Sequence, residues 1–416
     1  MEAVYRNAAL NVAATAAPNG KFGLFYDRVP LELMPFKVEV AWCQSDERRS
    51  FVCRRVDQTR FEIDLAPLNC RAWVMQERLL SQRIAHYAEK MLYWECCETF
   101  ANELYPKTLP ASNVTMEYSD LQTFKRLLNP HHSIDNAPNH PIYVPKNQHG
   151  LLNAVEQTED RADSILDAWR TFVTAYGKCQ LTFEEDRLVA LARVARHVAV
   201  KLNNELVAGL WRSRFIDELC WQTYIFDYDG RPPHIEPRKW IAPSWSRTSV
   251  DFPTFRTFFT GDLARKRATA RLVELVVDAN PSGSLNDGHV KLDCRLVPAL
   301  LKIEQRETTW AGRMLFHEEV PTDFDAEVQL DKIHFADEES SLKEIHLLLL
   351  QMGVSRNDKT NVLVRLALIP SAKGAEAFER IGIFEGQYRT RNLKKSFSSI
   401  LAAKHEEAAD QIIKIV

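Results

Sequence analysis

Residues 71–97 read Arg71-Ala72-Trp73-Val74-Met75-Gln76-Glu77-Arg78-Leu79-Leu80-Ser81-Gln82-Arg83-Ile84-Ala85-His86-Tyr87-Ala88-Glu89-Lys90-Met91-Leu92-Tyr93-Trp94-Glu95-Cys96-Cys97. Two periods meet in this stretch. Trp73, Gln76, Glu77 and Leu80 recur at intervals of three and four, which predicts a helix over 72–80. From Ile84 the β-formers predict a hairpin, Ile84 to Tyr87 and Met91 to Cys96, turning at Ala88-Glu89-Lys90. A helix followed at once by a hairpin points to a mixed α+β fold.

Upstream, residues 2–17 read as a short helix running into a strand in which Leu10, Val12 and Ala14 alternate, stopped by Pro18-Asn19-Gly20. Phe36 to Trp42 and Phe51 to Val56 are strand candidates around the polar turn Gln44 to Arg49. Downstream, residues 106–160 hold six prolines together with His131, His132, His140, His149 and Asp135, and read as a long loop. A metal site there would need ligands on one helix face; unliganded surface imidazoles are the favoured reading. Asp163 to Tyr176 predicts an amphipathic helix. Thr182 with Glu185 has the spacing of a capping box for a second helix, whose buried stripe is Leu188, Leu191, Ala195, Val198 and Leu202. From about 268 the period becomes two, with a turn at Asn280-Pro281-Ser282-Gly283, strands near 347–350, 362–369 and 380–384, and an expected closing helix between Leu393 and Ile415.

The division expected is therefore 1–106 as an α/β domain, 107–160 as linker, 161–250 as a helical middle, and 251–416 as a β-rich domain with a terminal helix. A chain of 416 residues is long enough for two or three cores. Its 53 basic and 56 acidic residues give a formal charge of −3, so no net basic excess draws it to nucleic acid or an anionic membrane. Arg391, Lys394 and Lys395 make a local basic patch, read as a solvated helix face. No apolar run approaches the ~18 residues of a membrane span, and Met1 to Arg6 lacks the pattern of a signal peptide, so a cytoplasmic location is expected. The eight cysteines show no C-x-x-C pair and read as reduced thiols.

No generic catalytic signature is present: no G-x-S-x-G, no G-x-G-x-x-G, no phosphate-binding loop and no H-E-x-x-H. Glu184 and Glu185 read as solvated acids. Ser244, between Pro243 and Trp245, reads as a structural turn, since no glycine permits a strained elbow.

Several strings nevertheless occur together in one order. Tyr5-Arg6-Asn7 leads into Leu10-Asn11-Val12-Ala13-Ala14. Gly23-Leu24-Phe25 with Arg28 follows, then the 71–83 block, Tyr93-Trp94-Glu95-Cys96, and Glu103-Leu104-Tyr105-Pro106. Further on come Trp169, Asp186-Arg187-Leu188, Ala208-Gly209-Leu210-Trp211, Trp221 and Ala242-Pro243-Ser244-Trp245-Ser246. In this order they resemble the fungal heterokaryon-incompatibility (HET) domain and the region that follows it, over about three-fifths of the chain. The usual domain carries further strands and helices ahead of the Tyr-Asn helix, so a shortened form is expected, and Arg247 stands where the family has a second tryptophan.

The resemblance implies a module of incompatibility or programmed cell death, acting by association with a protein partner. HET domains have been compared with the TIR fold, whose enzymes use a glutamate to cleave NAD. Glu77, with Arg71 and Arg83, is thus the first catalytic candidate. The competing and favoured reading makes Glu77 half of a buried ion pair fixing helix to sheet. Cys96 with His86 is a second catalytic candidate. An alternative function is a biosynthetic enzyme with a small apolar substrate, polyketide or terpenoid, in a pocket lined by Trp73, Trp94, Trp211 and Trp245. No cofactor and no metal is evident.

Overall fold

The computed structural model describes residues 2–41, 48–53, 59–109, 116–128, 161–223, 240–250, 254–256, 263–280, 283–306, 309–315, 327–331, 342–355, 361–374, 376–388 and 397–416. The expected sites at Trp42, Cys43, Asp135, His131, His132, His140, His149, Arg391, Lys394 and Lys395 lie outside them. The class is mixed α+β. The chain forms two compact units, one of residues 1–182 and 193–202, the other of 183–192 and 203–416. The four-part division expected from sequence is not the one that folds. Residues 203–250 join the C-terminal β-rich unit, and the boundary falls within one helix.

In the first unit α1 (Glu2–Asn7) precedes β1 (Asn11–Ala13), and β2 (Phe36–Ala41) pairs with β3 (Arg48–Cys53) as a two-stranded ribbon. Then come α2 (Ala72–Leu80), β4 (Arg83–Tyr87), β5 (Leu92–Cys96) and β6 (Phe100–Asn102), as the 71–97 stretch predicts. The sheet order is β1-β4-β5-β6, with β1 parallel to β4 and the other pairs antiparallel. Strand parity puts Ile84, His86, Tyr93 and Glu95 on the buried face. Within the segment expected as linker lies a helix, α3 (Met116–Leu128). Leu121, Phe124 and Leu127 recur on it every third residue. Phe124 meets Trp169 at 6.4 Å and Phe172 at 5.6 Å, side chains of α4 (Arg161–Gly177), and each such aromatic contact adds about 0.5–1.5 kcal/mol beyond burial. Helix α5 (Asp186–Leu202) starts four residues after Thr182, so the expected capping box lies ahead of the helix it was to open.

In the second unit β7 (Leu206–Val207) and β8 (Leu210–Trp211) are joined by Ala208 and Gly209, both with positive φ (47° and 85°), the requirement of a type I′ hairpin turn. After α6 (Phe215–Glu218), β9 (Trp221–Thr223) pairs with β10 (Thr254–Arg256). The rest is β11 (Leu263–Ala268), β12 (Arg271–Ala279), β13 (Leu285–Arg306), β14 (Thr309–Leu315), β15 (Glu327–Leu330), β16 (Leu342–Ser355), β17 (Asn361–Pro370), β18 (Ala377–Tyr388), α7 (Phe397–Glu407) and β19 (Asp410–Ile415). Among the described residues these strands form one nine-stranded sheet. Strands β13, β14, β15, β18, β17 and β16 pair in that order, and β16 pairs back with β13, so the sheet closes into a ring. Within the ring each strand has a neighbour on both sides, while β11 and β12 lie at the ends of the strand order. The 22-residue β13 makes this possible: its first half pairs β12 and β19, its second half β14 and β16.

The chain does not end on a helix as expected. Its last six-residue element, β19, runs antiparallel to β13 and parallel to β18. Both faces of β17 are buried, Val362, Val364 and Leu366 in one cluster and Ala367 in the other.

At Gly288 on β13 an added Cβ would stand 2.8 Å from the Pro243 ring. Gly288→Ala is therefore expected to cost about 1–3 kcal/mol through overpacking, read as a lower denaturant midpoint at unchanged slope.

Candidate functional site

Between α1, α2 and the β1–β4 edge of the first unit lies a cleft of about 220 Å³. It is lined by Tyr5 of α1, Asn11, Val12 and Ala13 of β1, Leu68 and Asn69, Val74, Glu77 and Arg78 of α2, and Ile84 and His86 of β4, with Ala14. Val74, Glu77 and Arg78 reach it together because residues three and four apart on α2 share a face, and of these Glu77 is half-buried. The Tyr5 hydroxyl meets the Glu77 carboxylate. Partial burial, then this hydrogen bond and the carboxylate's charge, push the phenol up to about 12, so it stays protonated and donates.

Beneath the cleft is a buried polar network centred on Glu95. Arg78 Nε donates to Glu95 Oε2 at 2.8 Å and Lys125 Nζ to Oε1 at 3.0 Å. His86 Nε2 lies 3.1 Å from Oε2, and its Nδ1 lies 3.0 Å from the Thr15 hydroxyl. Asp64 stands 3.7 Å from Arg78 Nη1. Burial opposes ionisation of Glu95, but Arg78, Lys125 and His86 together hold its carboxyl well below the usual range. Burial lowers the His86 pKa, reinforced by the two cations and opposed by Glu95, so the ring is neutral. A neutral ring facing a carboxylate carries its proton on Nε2, which makes Nδ1 the acceptor of the Thr15 hydroxyl. Two cations and two carboxylates thus balance around one neutral imidazole.

The favoured sequence reading placed a helix-to-sheet ion pair at Glu77. That pair forms one residue on, between Arg78 of α2 and Glu95 of β5, and Glu77 has no cationic partner among the described residues. The helix turns by about 100° per residue, so a one-residue difference changes which side chain meets the sheet. Of the other catalytic candidates, Arg71 is exposed at the N-terminus of α2 and Arg83 exposed at the start of β4; neither lines the cleft. Cys96 pairs across the hairpin with Arg83, while His86 pairs with Tyr93. Cys96 and His86 therefore lie on opposite faces of the sheet. The Cys96 thiol contacts the backbone of Thr99 instead, so the two make no nucleophile–base pair.

The tryptophans do not converge either. Trp73 is half-buried under the Arg193 guanidinium at 5.2 Å, and Trp94 is half-buried on the face of β5 away from the cleft. Trp211 and Trp245 are fully buried in the second unit. There Trp221 Nε1 donates to Trp245 O at 3.0 Å and the Ser246 hydroxyl to Ala208 O at 2.7 Å, joining three of the strings seen in the sequence. Arg247 forms a buried pair with Glu218 at 3.3 Å. Ser244 is structural: its hydroxyl donates to the Val416 carbonyl and accepts from the Arg380 amide at 3.0 Å.

Sequence reading missed Glu95, Lys125, Thr15 and Tyr5. Strand parity carried a signal for Glu95, which alternates with the buried Tyr93 on the His86 face. Lys125 had none, lying on a helix hidden among prolines.

A second feature is a surface. Among the described residues between 22 and 65 large apolar side chains stand in solvent: Phe25 is 80% exposed, Leu31 81%, Phe36 62% and Val52 75%. On the ribbon, Phe36 pairs with Cys53 and Val38 with Phe51, so these four share one face. Among the described residues no helix is long and apolar enough to cross a membrane, and no three His, Cys, Asp or Glu side chains are grouped to hold a metal ion. No family model matches the chain, nor does any curated protein or solved structure.

Proposed function

We propose that the chain is a HET-like module of fungal incompatibility or programmed cell death, located in the cytoplasm and acting by association with a protein partner. The observation that carries this reading is the set of exposed apolar side chains among the described residues between 22 and 65. A two-stranded ribbon by itself is marginal in water, and this one presents Phe36 and Phe51 on one face. Exposed apolar side chains concentrated in one segment are the signature of a protein-binding surface. The alternative, an enzyme acting on a polyketide or terpenoid, draws less support. Trp211 and Trp245 are core residues, and the cleft of the first unit is lined by carboxylate, amide, phenol and imidazole groups as well as aliphatic ones.

The test is the double variant Leu31→Glu/Phe36→Glu expressed in fungal cells. Both side chains are exposed, so stability should stay within about ±0.5 kcal/mol for each change. Growth arrest caused by the wild-type chain should be lost in the variant. Equal arrest by the two proteins at equal abundance would sink the association reading.

A further inference from the structure

We propose that the cleft between α1, α2 and β1 binds a small organic cation, gripping its ammonium or guanidinium group with Glu77. This inference is independent of the partner surface and goes beyond it.

The argument is an inventory of what the cleft can offer a ligand. Its cations are already matched. Arg78 is spent on Glu95 and Asp64, and His86 presents its N–H to Glu95 while its other nitrogen accepts from Thr15. The Tyr5 hydroxyl is committed to Glu77. Two amides complete the polar lining, each with its NH2 group tied to the protein. Asn11 Nδ2 donates to Ser81 Oγ at 3.2 Å and Asn69 Nδ2 to the Ile63 carbonyl at 2.8 Å. An amide anchored by one N–H keeps its carbonyl oxygen and a second N–H. What remains for a ligand is therefore led by the Glu77 carboxylate, whose negative charge no cation among the described residues offsets, with the two amides beside it.

An anion would meet Glu77 with no cation to offset it. A neutral hydroxyl compound would leave that charge unmatched in a half-buried site. A cation rich in N–H donors satisfies both the charge and the acceptors. Size narrows the class: about 220 Å³ is below the ~300–1,000 Å³ of pockets for drug-sized ligands. The occupant is a short aliphatic amine or guanidine, its stem against Val12, Val74 and Ile84.

The experiment uses the full chain and agmatine, which carries both groups on one short stem, with 1-pentanol as the neutral comparison, followed by titration calorimetry and ligand-observed NMR. The expected result is saturable agmatine binding that weakens with salt, and no pentanol binding at the same concentrations. Glu77→Gln keeps the fold, since Glu77 is in no ion pair, and should weaken agmatine about tenfold or more. Val12→Lys places a cation of the chain's own at the exposed rim and should also weaken it severalfold. Absence of agmatine binding in the millimolar range, equal affinity in Glu77→Gln at wild-type melting temperature, or equal binding of pentanol would each overturn the proposal.

Discussion

Glu95→Gln should lower the stability of the first unit by about 3–5 kcal/mol, because it removes the carboxylate that buried Arg78 and Lys125 share and leaves two cations to the single charge of Asp64. Removing one partner of a buried charge network costs far more than the network contributes when intact, since desolvation of the survivors goes uncompensated. Hydrogen exchange of β4 and β5 reads the effect in this unit directly. A loss below about 1 kcal/mol would mean that water reaches Arg78 and Lys125, and that the network is not the closed one described.

The same network sets a pH dependence. Glu95 and His86 both have folded pKa values below their unfolded ones. The unfolded chain therefore binds protons first, and stability falls as pH falls. The His86 contribution is fully present above the unfolded histidine value of about 6.5 and erodes below it. The Glu95 contribution holds down to the unfolded carboxyl value of about 4.3 and is lost as pH drops toward its folded value. Wild-type protein should lose stability on acidification from pH 7 to 4, and Glu95→Gln should show a shallower slope at the acid end. In the second unit His405 adds to the slope between about 4 and 6.5, since burial, then Arg365 and Arg295, bring it down to about 4.

Arg380→Met carries the other large effect. Arg380 is buried on β18, with Nε 2.6 Å and Nη2 3.2 Å from the Asp331 carboxylate, Nη1 2.7 Å from the Leu219 carbonyl, Nη2 2.5 Å from the Trp221 carbonyl, and its guanidinium 3.4 Å from the Trp221 ring centre. One side chain thus ties β18 to the Asp331 turn and to the segment leading into β9. Its loss takes the guanidinium away from Asp331, whose side chain is 1% exposed, and about 3–5 kcal/mol is expected, measured by denaturant unfolding. Adding Asp331→Leu should restore most of that, because deleting both charges removes the desolvation penalty as well as the bond. Failure of the double variant to recover would place the cost in the carbonyls of Leu219 and Trp221 instead.

Much of the local structure was legible. Helix α2 covers the nine residues that its period predicts, and the 84–96 hairpin follows in register. Around the expected turn, of which Pro281 and Ser282 lie outside the described residues, Asn280 Oδ1 accepts from the Ser284 amide at 2.9 Å and Gly283 has φ 95°, a conformation glycine adopts without strain. Helix α3 was hidden because neighbouring prolines and histidines mask a short apolar period. The last strand was hidden because Asp410 to Ile415 follows a helix and carries only a few alternating residues. The site was legible in one residue out of the pair that matters: Glu77 was singled out for the right helix, but its role depends on which neighbour the sheet claims.

Sequence alone determined the mixed class, the helix at 72–80, the hairpin after it, and the change to period two near 268, because those depend on spacing along the chain. Tertiary structure alone decided that Arg78 rather than Glu77 meets Glu95, that Cys96 and His86 face apart, that α5 spans the unit boundary, and that β16 returns to β13 to close the ring. Each of these joins residues distant in sequence, and the free energy that selects them, burial set against desolvation and loop closure, exists only once the elements are packed.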